Sequence, residues 1–72
     1  MPMKNMTKFW MVAMGEQHEG IGEMAFYHSF DDAKAKAEEW IARSTFTDWE
    51  WEDKYAATGG CDFIVISENV IW

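Results

Sequence analysis

One cysteine, one proline and six basic side chains are all that this 72-residue chain holds of those kinds. The lone Cys61 excludes an intramolecular disulfide and any C-x-x-C zinc or redox motif. Proline occurs only at position 2, so no proline-rich linker divides the chain, and its length suffices for one small domain. No segment approaches the roughly 20 apolar residues that a membrane-spanning helix needs. Met1 to Met6 also lack the apolar run of a signal peptide. A reduced thiol and no membrane segment make the cytoplasm the expected location.

Bases are outnumbered by thirteen acids, giving a net charge of −7. Residues 1–15 carry +2, residues 16–43 carry −4 and residues 44–72 carry −5. A field of that sign repels phosphates, so direct binding of nucleic acid or an anionic membrane is disfavoured, and the expected partner is a protein with a basic surface. The plainer reading is that acidity keeps a small aromatic-rich chain in solution. Apolar residues make up 49% and aromatics 17% of the chain, which marks it as folded rather than disordered. At this size a core alone supplies about 3–5 kcal/mol, so aromatic packing or oligomerisation must assist. Five tryptophans suit either route, and a homodimer is a natural expectation.

Residues 1–6 read as a flexible N-terminal leader ahead of a single domain over 7–72. Thr7 to Met14 (TKFWMVAM) is apolar on both parities, as in a central strand covered on two faces. Three of the five glycines fall in residues 15–22, marking a hairpin connection. Glu23 to His28 returns as a second strand, with Met24, Phe26 and His28 on one side and Ala25 and Tyr27 on the other. Ser29 is a suitable helix N-cap, with Asp31 and Asp32 in the first turn where carboxylates offset the helix dipole. Phe30, Ala33, Ala37, Trp40, Ile41 and Ser44 form a stripe at helical spacing. Asp32 with Lys36 and Glu39 with Arg43 form i,i+4 pairs on the exposed side.

Past a turn at residues 44–47, DWEWEDKY (48–55) has a sharp period of two. Asp48, Glu50 and Glu52 point one way; Thr47, Trp49, Trp51, Asp53 and Tyr55 point the other. AATGGC (56–61) reads as the next reversal, Asp62 to Ser67 as an apolar strand, and ENVIW as its continuation or an edge wrap. The expected order is ββαββ, an α+β domain with an antiparallel or mixed sheet and one helix packed on a face.

No catalytic or cofactor motif emerges. Thiol chemistry would need Cys61 activated by a histidine such as His28 and oriented by Asp62, yet no signature surrounds it. His18, Glu19, His28, Cys61 and Asp62 lack any metal-ligand spacing. The glycines of residues 15–22 match neither a dinucleotide nor a P-loop pattern, and no base follows them to hold phosphate. Trp49, Trp51 and Tyr55 could stack bases, but such platforms need a basic groove. The expectation is a non-enzyme with no cofactor and no metal.

The acidic strand remains. Alternate strand residues stand roughly 6.6 Å apart, so Asp48, Glu50 and Glu52 would present a regular row of charge resembling a phosphate backbone, or simply a solvated strand face. The tryptophans behind them are either core under the helix or, if the helix covers the other face, an exposed interface.

Lys8-Phe9-Trp10-Met11-Val12, the capped helix opening His28-Ser29-Phe30-Asp31-Asp32-Ala33, and Phe63-Ile64-Val65-Ile66 together resemble small uncharacterised proteins of phages and prophages. The segment DWEWEDKYAATGG departs from that pattern as an added hairpin arm. With its small size and acidity, the chain is also similar in kind to phage-encoded inhibitors of host defence, including anti-CRISPR proteins. The resemblance implies an inhibitor or modulator of a host protein, such as a nucleic-acid-handling or defence protein, and carries over no residue roles. Asp48, Glu50, Glu52 and Asp53 are the expected partner-binding charges, with Trp49 and Trp51 as anchors. Two other classes stay open: a homo-oligomeric binder of a nucleotide-like small ligand, and a small thiol or hydrolytic enzyme.

Overall fold

A computed structural model describes the chain from Thr7 to Ile71. The expected leader at residues 1–6 and the terminal Trp72 lie outside the described residues. Six elements follow in order: β1 (Thr7–Glu16), β2 (Gly20–Tyr27), α1 (Phe30–Arg43), β3 (Glu50–Asp53), β4 (Ala56–Gly59) and β5 (Asp62–Ile71). The strands form one sheet in the order β2-β1-β5-β4-β3, every neighbouring pair antiparallel. The fold is therefore α+β with the order ββαβββ, which corrects the expected ββαββ.

The additional strand is β4, whose Ala-Ala-Thr-Gly sequence reads as a turn because small residues have low strand propensity. Their smallness has another cause. Ala57 pairs with Trp51, and the indole of Trp49 occupies the side-chain position of Gly59, so two large rings of β3 and its approach demand two small residues beneath them. The reversal itself shrinks to Gly60 and Cys61. Gly60 has a φ of 59° at the first central position of this two-residue hairpin, where a side chain would be strained.

The β1–β2 connection is also tighter than residues 15–22 suggest. The Glu19 N–H donates to the Glu16 carbonyl at 3.1 Å, and Gly20 follows with a φ of 85°. A turn closed by a left-handed glycine is the common three-residue hairpin loop. Both strands consequently extend beyond their expected ends. β5 likewise runs on to Ile71, pairing with β1 at every position from Glu16↔Asp62 to Thr7↔Ile71.

Helix α1 begins as its cap dictates, with the Asp32 N–H donating to Ser29 Oγ at 3.1 Å. It packs across β1, β2 and β5. Ala33, Ala37 and Trp40 meet Val12, Ile64 and Ile66, and Trp10, Met14, Ala25, Tyr27, Phe30 and Ile41 border this core. Alanine at two successive turns lets the helix approach the sheet closely, while Trp40 fills the space near its end. Of the expected surface pairs, Glu39–Arg43 forms at 2.9 Å. Lys36 turns to Glu39 at 3.1 Å rather than to Asp32, and Lys34 faces Glu38 at 4.0 Å. Asp32 instead serves the helix terminus.

Candidate functional site: an acidic edge strand

The segment leaving α1 is fixed before it enters the sheet. Ser44 Oγ accepts from the Phe46 N–H at 3.1 Å, and the rings of Phe46 and Trp49 cover Gly60 and Gly59. β3 then forms the outer edge of the sheet, paired only with β4. Glu50 opposes Thr58 and Trp51 opposes Ala57, so the period of two read from the sequence translates directly into two faces.

Asp48, Glu50 and Glu52 line one open groove of about 430 Å³ together with Gln17, Thr58 and the two glycines at 59 and 60. All three acids are exposed. The Thr58 hydroxyl lies 3.4 Å from Glu52 Oε2 as a long hydrogen-bond donor. Among the described residues, no lysine or arginine lines this groove. The arrangement offers hydrogen-bond acceptors and negative charge to a cationic ligand.

Trp49 and Trp51 are on the other side. Both are half-buried and pack against the core beside α1, where Lys34 Nζ stands 4.5 Å from the centre of the Trp51 ring. Acids and tryptophans expected to form one partner surface are thus divided between the two faces of the sheet edge. Asp53 departs from the alternation. The register shifts between Trp51 and Asp53, making a bulge at Glu52, and Asp53 Oδ1 accepts from the Tyr55 N–H at 2.7 Å across the β3–β4 turn. Tyr55 in turn stacks on Trp10, with centroids 6.3 Å apart, and meets Phe30 edge-on at 5.7 Å.

Cys61 is exposed in the β4–β5 turn, its carbonyl accepting from the Gln17 N–H at 2.9 Å. His28 follows the opposite end of β2. Cys61 adjoins the Glu16↔Asp62 pair whereas His28 adjoins Trp10↔Tyr27, six positions along β1 and hence about 20 Å away. The dyad considered from the sequence is not assembled. Among the described residues, no three His, Cys, Asp or Glu side chains gather in a way that could hold a metal.

The face opposite α1 is apolar as well. Alternation and register place Phe9, Met11 and Ala13 of β1, Met24 and Phe26 of β2, and Phe63 and Val65 of β5 on that side. The apolar residues on both parities of TKFWMVAM point to cover on two faces, but among the described residues α1 covers only one of them. No family model, curated protein or solved structure matches this chain.

Proposed function

We propose that this chain is a non-enzymatic binding protein that engages the basic surface of another protein through Asp48, Glu50 and Glu52, in the manner of a phage-encoded inhibitor of a host nucleic-acid-handling or defence protein. One observation carries the reading: three exposed acids, Asp48 just ahead of the edge strand and Glu50 and Glu52 on it, line one groove with no lysine or arginine among its described residues. Charge of one sign on a rigid strand steers and aligns a cationic partner. Recognition runs through side chains rather than strand addition, because β3 is four residues long and bulged at Glu52, which blunts its unpaired backbone edge. Trp49 and Trp51 support the row from behind.

The test is capture from host-cell lysate at low and high salt by the immobilised protein and by a triple variant carrying Asp48→Lys, Glu50→Lys and Glu52→Lys. Reversal of exposed charges leaves the fold intact, which circular dichroism checks. A basic protein retained at low salt, released at high salt and ignored by the variant is the expected result. Equal retention by the folded variant overturns the reading.

A further inference from the structure

We infer that the face of the sheet opposite α1 is the contact surface between two copies of this chain, packed β1 against β1 so that the two acidic β3 edges stand at opposite ends of the dimer. It lies on the same side of the sheet as the acidic groove, since Glu50 pairs with Thr58 and Thr58 with Phe63, but on the central strands, and it stands independently of the groove's role.

Among the described residues of β2, β1 and β5, this face carries no charged side chain. Phe9, Met11, Met24, Phe26, Phe63 and Val65 form its apolar part, with Phe9 and Phe26 edge to face at 5.7 Å and Ala13 fully buried between its strand neighbours. Phe26 is 59% exposed and Met24 52%. The polar residues further along β5 on this face, Ser67 and Asn69, are linked: Asn69 Nδ2 donates to Ser67 Oγ at 3.2 Å and to its carbonyl at 3.3 Å. Such a surface offers nothing to select a charged partner, and its two polar side chains are linked to each other. Its complement is another uncharged apolar sheet face, and every copy of the chain presents one.

Need and size both favour this occupant. Among the described residues, only Ile64 and Val12 are large side chains buried completely, a small core for a domain whose single cysteine allows no internal disulfide. β1 and β5 are each ten residues long, about 33 Å, and three strands span about 14 Å. The footprint is roughly 450 Å² per copy in projection, so that two corrugated faces together reach about 1,000 Å² or more, the lower range for a specific association. A two-fold axis parallel to the strands and centred over β1 lays β2 on the partner's β5 and β5 on the partner's β2. β4 and β3 then project beyond the overlap on each side, which keeps the acidic rows from facing one another. Two copies each carrying −7 repel, so the apolar contact strengthens or holds as salt rises, the opposite of the acidic groove's behaviour.

Sedimentation equilibrium from micromolar to millimolar concentration, at low and high salt, tests the proposal on the wild type, Phe26→Lys and Met24→Lys. The expected result is a reversible dimer of twice 8.4 kDa, unweakened by salt, with self-association weakened on the order of 100-fold by either lysine while the circular dichroism spectrum is retained. The triple Asp48→Lys, Glu50→Lys, Glu52→Lys variant keeps the dimer, which separates this outcome from that of the capture experiment. A wild type monomeric at millimolar concentration, a dimer dissolved by salt, or a dimer that survives both lysine substitutions overturns it.

Discussion

The indole of Trp49 rests on Gly59 so closely that its ring atoms fill the space a Cβ at position 59 would occupy. Nothing between the two strands remains to yield. Trp49 precedes β3, Gly59 ends β4, and this contact with Trp51 over Ala57 ties the outer hairpin to the side of the sheet that bears the helix. The acidic row is held in place by the same contact, since Asp48 and Glu50 are the immediate neighbours of Trp49.

Substituting Gly59→Ala drives one methyl group into a fixed ring, and overpacking of this kind costs about 1–3 kcal/mol. The urea midpoint is expected to fall accordingly, with an unchanged denaturant slope. Gly22 provides the comparison, because the nearest atom to a Cβ placed there is 3.9 Å away, and Gly22→Ala leaves the midpoint nearly unchanged. Equal midpoints for the two variants would show that Trp49 does not lie on Gly59 in solution.

The same pair explains where the sequence was legible. Ser29 with Asp32, and Ala33, Ala37 and Trp40 at helical spacing, announce α1 because capping and periodicity act within one element. Asp48, Glu50 and Glu52 share a face because strand alternation is local up to the bulge at Glu52. Ala57 and Gly59 are small for the sake of rings six and ten residues away, and no local pattern distinguishes that from a turn. Which side of Trp49 and Trp51 the helix would cover is likewise a matter of topology. It depends on β5 lying between β1 and β4, which brings the outer hairpin's tryptophans up beside α1.

On the exposed side of the helix, Glu39 is held below its ordinary carboxylate pKa, first by its hydrogen bond and charge contact with Lys36 and then by Arg43. A depressed native pKa adds stability above the unfolded value, and that contribution is lost as pH falls through the native one. Acidification from about pH 5 downward therefore removes the contribution of both ion pairs. In Glu39→Gln the fall in the urea midpoint between pH 6 and pH 3 is expected to be smaller than in the wild type, and high salt narrows the difference because the group is exposed. Identical pH profiles would mean that Glu39 forms neither pair in solution.

Trp49 also carries the one buried side-chain polar atom without a partner among the described residues, its indole Nε1. An unsatisfied buried donor costs about 1–3 kcal/mol, whereas the ring that bears it contributes packing against Gly59. Trp49→Phe removes the donor and keeps an aromatic ring, so the loss of contact area and the relief of the orphaned N–H oppose each other. The expected change in unfolding free energy is within about 1 kcal/mol of zero, against a loss of about 3 kcal/mol or more for Trp49→Ala. The functional consequence follows from the division of the two faces. Trp49→Phe keeps the hairpin in place behind the acidic groove, and capture of a basic partner should match the wild type. A folded Trp49→Phe variant that loses capture would show that the indole itself touches the partner and that the tryptophan side of β3, rather than the acidic side, is the binding surface.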